Sequence, residues 1–432
     1  MDGFNKVMKR KIIFNRRVFL RALAAAGFIG IAGSYAVAIP IDLASVGAQL
    51  DSWNDQFDVQ ALGGTQTASI NQPVLDQATI SYTRTAIAHY NDIVAKGGWP
   101  VVPTTQGRLK IGMRHPAVCI LRQRLFISGD LAREAGMSQT FDTYVDAAVR
   151  RFQLRHGLPL DGILDKMTYR ALNINVQMRL KQLYANLERL NKIASKTAKE
   201  RRFVMVNIPA AEIEAVEGGM VVQRHRVIVG KIDRQTPILD SKIHEIILNP
   251  FWIIPKSIIQ KDIIPLMQKK PNYLTENNIH LFDTKGQEIP PQLVDWNTNE
   301  AVNLIFRQEP GKINAMSSTK INFYNTHAVY MHDTPLQGLF NNLIRFDSSG
   351  CIRVQNIRDL NLWILKNTQG WDRMKMEDII RSRENKPIRV KDPVPLHFVY
   401  ISAWSTGDGI IQFRDDIYHI DGSAEPTFGL ER

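Results

Sequence analysis

The sequence predicts an α+β chain in which a helical amino-terminal part precedes a mostly-β domain with an inserted cap. Apolar residues recur at helical spacing in segments between residues 79 and 197, whereas β-branched and apolar residues recur with a period near two from Phe203 onward. The chain has 432 residues, of which 44% are hydrophobic. This length suffices for two or three domains, each with a core of its own.

The charge of the chain is positive but modest outside its first residues. The formal net charge is +12, and residues 1–38 hold seven Lys or Arg against a single Asp, so they supply half of it. The net positive charge of the remaining residues is compatible with binding to an anionic envelope polymer or a membrane surface. Since no basic run is interleaved with aromatic residues, the sequence argues against a nucleic-acid partner.

Residues 1–38 have the pattern of an export signal. Asn15–Arg21 reads N-R-R-V-F-L-R, which is similar to the twin-arginine motif, and the uncharged stretch that follows contains Ala36-Val37-Ala38. We expect the export machinery to recognise this segment. Cleavage after Ala38 and retention as a single-helix anchor both place the remaining chain in the periplasm or cell envelope.

Two segments of lower complexity lead to the first compact module. Residues 39–78 are polar and include Gly63-Gly64-Thr65, so we interpret them as a flexible linker. Residues 79–104 form a helical lead-in, with a helix predicted from Thr79 to Lys96. Gly97-Gly98 and Pro100 end that helix.

Residues 105–173 have a helix, a long loop, a second helix, a glycine-containing turn and a short helix capped by Asp165. They resemble the small three-helix peptidoglycan-binding domain, which implies that the module binds peptidoglycan glycan or stem peptide. The alternative is a docking module that only positions its neighbour. Residues 174–202 follow as a connecting amphipathic helix. The matching residues are Leu109, Gly112, Ala117-Val118, Leu121-Arg122, Arg124-Leu125, Ala148 to Gln153, His156 to Leu158, Asp161 to Asp165, Thr168 and Ala171 to Asn173.

The chain has two cysteines, Cys119 and Cys351, which could pair outside the cytoplasm. Cys119 lies in a segment with the apolar spacing of an amphipathic helix, so we predict a small buried hydrophobe and no disulfide. The ten histidines and two cysteines show no metal-ligand spacing. We therefore expect neither a metal ion nor another cofactor.

Residues 203–421 are predicted to form the β-rich domain, followed by a tail at 422–432. Within it, residues 256–314 turn irregular and partly helical, as in a cap over an active site. Trp252, just before this insertion, either lines a substrate groove or belongs to the core. The segment from Pro395 to Tyr418 has strand-type residues on both sides of Asp408-Gly409 and predicts a hairpin.

The candidate site lies between His332 and Val354. Cys351 follows Ser348-Ser349-Gly350, and His332 stands nineteen residues upstream. A thiol becomes a strong nucleophile when a nearby imidazole takes its proton. Gly350 permits a tight turn in which backbone N–H groups face a developing oxyanion. A helix predicted at 356–366 would lower the pKa of Cys351 if the cysteine lay at its start.

This segment resembles the signature of the L,D-transpeptidases, in which a histidine is followed by Ser/Thr-His-Gly-Cys and then by an apolar-Arg-apolar or apolar-Asn-apolar triplet. Ser349 stands where the family commonly has histidine, and Met316-Ser317 replaces its usual Leu-Gly. The resemblance implies an L,D-transpeptidase fold with a cap. The matching residues are His332, Ser348, Gly350, Cys351 and Ile352-Arg353-Val354.

The resemblance also implies a reaction. Cys351 would attack a tetrapeptide stem of peptidoglycan and release D-alanine, His332 would act as general base and acid, and the thioester would pass to a second stem as a 3→3 cross-link. Arg353, Ser349, Ser348 and Trp252 are the candidate substrate-binding residues, although Arg353 could equally form a structural ion pair. Carbapenem inhibitors would acylate the same cysteine.

Other functions fit the same residues. A carboxypeptidase would use water as the acceptor, and an endopeptidase would cut cross-links with the same cysteine. The departures at Ser349 and Met316-Ser317 motivate a third alternative, a non-catalytic peptidoglycan-binding scaffold.

Overall fold

The computed structural model of the chain describes residue 73 and residues 75–104 and 107–422. The predicted export signal at 1–38, nearly all of the predicted linker at 39–78 and the tail beyond residue 422 lie outside the described residues. Among the helices within these ranges, none has both the length and the apolar character needed to cross a bilayer.

Five α-helices in the described ranges precede the sheet, and polar side chains cap four of them. Asp76, Asp142, Asp165 and Asn175 each accept a hydrogen bond from a backbone N–H in the first turn of the next helix. The predicted helix at 79–96 is found within two residues of its predicted bounds. The helices are α1 (Gln77–Ala95), α2 (Ala117–Ile127), α3 (Thr143–Arg155), α4 (Lys166–Asn173) and α5 (Val176–Thr197).

A closed sheet forms the second half of the chain. Nine strands pair in the order β11-β3-β12-β10-β9-β4-β13-β1-β2, and β2 also pairs with β3, so the sheet closes on itself. The strands of the chain are β1 (Arg202–Asn207), β2 (Glu212–Glu217), β3 (Met220–Gly230), β4 (Leu239–Leu248), β5 (Trp252–Ile253), β6 (Ile279–Phe282), β7 (Glu288–Ile289), β8 (Ile305–Gln308), β9 (Thr319–Phe323), β10 (Met331–His332), β11 (Phe346–Ser348), β12 (Ile352–Val354), β13 (Lys386–Val399), β14 (Ala403–Ser405) and β15 (Ile411–Phe413).

The residues enclosed by this sheet form the largest apolar core that the structure describes. Strand side chains alternate in direction, so alternate residues of β9 and β12 and most alternate residues of β13 enter the core. Later helices close it with Leu360, Ile364 and Met376. Core residues from the strands include Val204, Val206, Ile213, Val227, Ile246, Ile321, Met331, Ile352, Val354 and Leu396.

The last strands differ from the predicted hairpin at 395–418. Residues 395–399 continue β13, which pairs with β4 on one side and β1 on the other. The hairpin consists only of β14 and β15. Strand-type residues run through both elements without a clear change of pattern, and only the pairing partners divide them.

The region between β4 and β9 forms a cap with its own core. Strands β5, β8, β6 and β7 form a four-stranded sheet beside short helices, and Leu274, Leu281 and Phe306 are among its buried residues. The sequence predicted an irregular, partly helical segment here. Strands of two to four residues are too short to show a period of two, which explains why this sheet was not predicted. The cap helices are α6 (Lys256–Ile258), α7 (Ile264–Lys269) and α8 (Tyr273–Glu276), with a π-helical turn at Ile259–Ile263.

Helices α2, α3 and α4 enclose a separate core, and this three-helix module contacts the β14–β15 hairpin. The ring of His156 stacks on Phe413 with centroids 5.5 Å apart. Arg155 donates a hydrogen bond to the Ile411 carbonyl at 3.2 Å, and Arg414 donates one to the Arg155 carbonyl at 3.2 Å. The module is therefore held against the hairpin by stacking and by hydrogen bonds in both directions.

Candidate active site

The turn that carries Cys351 joins β11 to β12 and requires glycine at position 350. Gly350 has φ of 107°, in the left-handed region, and a side chain there would lie 3.3 Å from the Gln235 carbonyl. Thr236 fixes the turn from outside by donating its hydroxyl to the Gly350 carbonyl at 2.9 Å. The backbone path that presents Cys351 is thus set by close packing of two loops.

Ser348 stabilises the same turn from within. Its hydroxyl donates to the Cys351 carbonyl at 2.5 Å and accepts from the Gly350 N–H at 3.1 Å. The side chain is 3% exposed. This geometry favours a structural role for Ser348 over the predicted substrate contact, and it engages the Gly350 amide that was predicted to face an oxyanion.

His332 lies in a row of three basic side chains across adjacent strands. In the sheet it stands opposite Arg353 of β12 and opposite Lys320 of β9. Directly opposed residues project from the same face of a sheet. Their neighbours Met331, Ile321 and Ile352 point the other way and are fully buried in the core. The register therefore places His332 between two cations on the face away from the core.

Hydrogen bonding fixes the tautomer of His332. Its Nδ1 lies 2.6 Å from the carbonyl oxygen of Asp333, which can only accept, so Nδ1 carries the hydrogen and Nε2 carries the lone pair. The Asp333 carboxylate accepts bonds from the Ser318 hydroxyl at 2.5 Å and from the Thr334 N–H at 2.8 Å, and so holds this segment in place. His332 is thereby oriented as a base.

Electrostatics keep the imidazole neutral. Burial, reinforced by the positive charge of Arg353, lowers the pKa of His332 to about 4, and Lys320 acts in the same direction. A neutral imidazole at physiological pH is able to accept a proton. The side chain is 7% exposed, so bulk water reaches it poorly.

The Cys351 thiol is partly buried beside Tyr330, and both cysteines are free thiols. Burial raises the pKa of the Cys351 thiol, while hydrogen bonds from Tyr330 and the charges of Lys320 and Arg353 lower it. The condition for a lower pKa, that Cys351 lies at the start of the following helix, is not met. The helix α9 (Ile357–Leu365) begins after the whole of β12, so the cations of the sheet take the place of a helix dipole. Cys119, predicted to be buried, is only partly buried on α2.

The thiol and imidazole line a cavity of about 350 Å³ between the sheet and the cap. Trp252 lies in its wall and donates its Nε1–H to the Tyr330 hydroxyl at 3.2 Å, while its ring also packs against the cap core. Both interpretations of Trp252 therefore apply. The residues lining the cavity include Ser349, Cys351, His332 and Arg353 from the sheet side and Ile258, Asp262, Leu266 and Tyr273 from the cap.

Two positions that depart from the family signature have local explanations. Ser317, in place of glycine, has φ of 47° and still adopts the left-handed conformation. The hydroxyl of Ser349, in place of histidine, accepts a hydrogen bond from Arg234 at 2.9 Å. Met316 is buried in the cavity wall. Neither change disturbs the row formed by Lys320 and its two partners.

Arg234 connects the nucleophile's turn to the cap, a contact that the sequence did not predict. Its two terminal nitrogens bind both carboxylate oxygens of Asp262 at 2.5 and 2.9 Å, while one of them also reaches Ser349. Asp262 lies in the π-helical turn of the cap. Neither residue is close to Ser349 in sequence, and a bidentate pair leaves no pattern in the chain.

Asp262→Asn is expected to loosen the cap without unfolding the sheet. A half-exposed charged pair of this kind contributes about 1 kcal/mol, so amide hydrogen exchange at 256–276 should become roughly fivefold faster. Exchange mass spectrometry on the full-length chain measures this. Glu276→Gln, an exposed carboxylate of α8, is the control and should leave exchange unchanged. Equal rates of amide exchange in the two variants would contradict the conclusion that Asp262 and Arg234 hold the cap against the Cys351 turn.

The ion pairing of Arg353 bears on its role in the cavity. Asp347, whose charge acts on Arg353, pairs directly with Lys231 at 3.2 Å, and Arg353 makes no ion pair within 4 Å in the ranges that the structure covers. The guanidinium therefore lines the cavity without a direct ion-pair partner in those ranges, although the charge of Asp347 still acts on it. In these same ranges no group of three or more His, Cys, Asp or Glu side chains is arranged to hold a metal ion.

A cysteine and a neutral, oriented histidine in one cavity of a capped β-domain are the residue types that a cysteine-nucleophile enzyme requires. Comparison with known families agrees with this class. Residues 201–390 match the L,D-transpeptidase catalytic domain, and residues 114–172 match the family described as "Putative peptidoglycan binding domain". The chain therefore contains an L,D-transpeptidase catalytic domain at residues 201–390, and the predicted α+β fold class is confirmed.

Individual relatives extend the comparison. A protein of Haemophilus influenzae named "Putative L,D-transpeptidase" is 33% identical over 222 residues, which are 50% of this chain and 44% of the relative. An L,D-transpeptidase structure from Mycobacterium smegmatis is 12% identical, covering 46% of this chain and 58% of its own, with a TM-score of 0.23. One from Xylanimonas cellulosilytica is 14% identical, covering 69% and 100%, with a TM-score of 0.22.

Proposed function

We propose that this chain is a cell-wall L,D-transpeptidase that forms 3→3 cross-links through a thioester on Cys351. The observation that supports it most directly is the joint position of Cys351, His332 and Arg353 on one cavity, with His332 neutral and protonated at Nδ1. This arrangement provides a nucleophile, a base and a cation for an anionic substrate.

In the first half of the reaction, Cys351 Sγ attacks the carbonyl carbon after the third residue of a tetrapeptide stem. Nε2 of His332 accepts the thiol proton and delivers it to the nitrogen of the departing D-alanine as the C–N bond breaks. The Cys351 backbone amide holds the oxyanion, since the Gly350 amide is already bonded to Ser348. The product is a thioester and free D-alanine.

In the second half, an amine of another stem attacks the thioester carbon. His332 takes the proton of that amine, the new C–N bond forms, and the C–S bond breaks to return the thiolate, which His332 reprotonates. Arg353 binds a stem carboxylate during both halves, because it lines the cavity and Asp347 pairs directly with Lys231. Carbapenems acylate Cys351 by the same attack on a carbonyl carbon.

The location and the accessory module follow from the same proposal. The three-helix module at 105–173 binds peptidoglycan glycan or stem peptide and brings the cavity to the wall. A peptidoglycan substrate requires an envelope location, which the twin-arginine-like segment at 1–38 would provide through export, either as a cleaved signal or as an anchor.

The test uses the purified full-length chain with a disaccharide tetrapeptide, followed by intact mass. We expect a cross-linked dimer with loss of D-alanine, absent in Cys351→Ala and retained in Cys119→Ala, the matched thiol control. Tripeptide alone would establish a carboxypeptidase, and cleavage of added dimer an endopeptidase. No turnover by either thiol variant or by the natural chain, together with binding to sacculi, would establish the scaffold.

A further inference from the structure

Lys320 occupies a position beside the nucleophile that the mechanism above does not use. It is partly buried on β9, directly opposite His332, and its ammonium lies 4.2 Å from the centroid of the Tyr330 ring. Tyr330 and Cys351 line the same cavity, and Tyr330 lowers the pKa of the Cys351 thiol. Tyr330 therefore lies beside Lys320 through its ring and shares a cavity with Cys351.

The charge of Lys320 is not neutralised by a salt bridge. Within the described ranges no carboxylate lies within 4 Å of it, and the adjacent Glu245 of β4 instead accepts a hydrogen bond from Asn322 at 2.7 Å. Cations over a tyrosine ring are attracted by the ring electrons and withdraw charge from the phenol. A phenol polarised in this way donates a stronger hydrogen bond to an anionic acceptor.

We propose that Lys320 is a positioning residue for the nucleophile, because its ammonium, seated on the Tyr330 ring, stabilises the Cys351 thiolate through the tyrosine hydroxyl. This inference rests on the proposed role of Cys351 as the nucleophile. It assigns Tyr330 the task of transmitting the charge and of holding the sulfur at a fixed distance from the ring. The catalytic residues that contact the substrate remain Cys351, His332 and Arg353.

The groups around Lys320 determine whether loss of its charge raises or lowers the pH at which the Cys351 thiol loses its proton. Burial lowers the pKa of Lys320, whereas Cys351 and Glu245 raise it. Lys320 lowers the pKa of the Cys351 thiol and also that of His332. Loss of its charge therefore moves deprotonation of the thiol to higher pH. The titratable and charged groups that face Lys320 are Glu245 on β4, Tyr330 and His332 at β10, and Cys351 and Arg353 at β12.

The test measures the thiolate directly and does not require turnover. In a Cys119→Ala background, the rate of Cys351 alkylation by iodoacetamide is followed by mass as a function of pH. Lys320→Met should raise the midpoint by about one pH unit, as expected for loss of one nearby charge. Lys320→Arg keeps the positive charge, so most of the shift should be absent and the midpoint should lie close to that of the natural chain. Lys242→Met, an exposed lysine of β4, is the charge-matched control and should leave the midpoint unchanged.

A second variant tests the route through the tyrosine. In a Tyr330→Phe background, Lys320→Met should shift the midpoint by less than half as much as in the natural chain. An equal shift in both backgrounds would overturn transmission through Tyr330, and no shift in a folded Lys320→Met protein would overturn the proposal entirely. Since alkylation reports on the thiol alone, an inactive chain with the expected shifts would refute the transpeptidase function and leave this inference standing.

Discussion

His332→Gln is expected to slow acylation of Cys351 by about 10²- to 10⁴-fold, the range that a positioned general base contributes. Glutamine preserves the polarity and approximate size of the side chain but has no basic nitrogen. In the proposed reaction the neutral Nε2 takes the thiol proton directly, since Nδ1 is committed to the Asp333 carbonyl. In the variant the thiol must lose its proton to solvent. This loss is unfavourable because burial raises the pKa of the Cys351 thiol.

The pH dependence of Cys351 acylation distinguishes the loss of a general base from a distortion of the folded site. Because the pKa of His332 is lowered to about 4, the natural enzyme should keep its base functional from about pH 5 upward. The variant should instead gain about tenfold in rate per pH unit until the thiol ionises. Single-turnover mass spectrometry with a tetrapeptide or a carbapenem measures both profiles. His280→Gln, an exposed histidine of the cap, is the control, and parallel profiles for both variants would contradict the role of His332.

The joint position of Cys351 and His332 on one cavity could be predicted from the sequence, because both are rare residue types in a local pattern. Cys351 follows a glycine turn and His332 ends a strand-like run, so both could be proposed as site residues without the fold. Lys320 could not be found in this way. It reaches the site because β9 pairs with β10 in one particular register, and a shift of one residue would turn it to the core.

The contacts that depend on pairing between distant segments were also missed. Arg234, Asp262 and Ser349 come from a loop, the cap and the nucleophile's turn, and the chain offers no pattern that brings them together. The sequence could not fix whether Cys351 lies at the start of the following helix, and the structure places β12 between them. In each case the missing information is the tertiary arrangement and not the identity of the residue.

The helical module could be predicted as a fold, but not how it contacts the rest of the chain. Its glycines, caps and apolar positions specify three packed helices, and these lie in the expected segments. The buried pair of Arg155 and Asp130 is different. Both side chains are less than a tenth exposed, with contacts of 2.7 and 2.6 Å between the guanidinium and the carboxylate oxygens. Arg155 also reaches the Ile411 carbonyl of the hairpin.

Asp130→Asn is expected to destabilise the module by about 3–5 kcal/mol, because it leaves the Arg155 guanidinium buried without its counter-charge. Denaturant unfolding of the full-length chain measures the loss, and hydrogen exchange of peptides within 117–172 locates it. The hairpin should lose protection at β15 as well, since Arg155 connects the two. Asp92→Asn, which breaks an exposed pair with Lys96 on α1, should cost less than about 1 kcal/mol.

The double variant Asp130→Leu with Arg155→Met distinguishes a buried-charge penalty from a general loss of packing. Removing both charges eliminates the unpaired guanidinium, so the double variant should be more stable than Asp130→Asn alone. If the double variant is less stable than the single one, the pair contributes more than it costs to bury, and the module depends on it as a specific contact. A single variant that unfolds like the natural chain would show that water or a neighbouring group compensates Arg155, and the proposed coupling to the hairpin would be wrong.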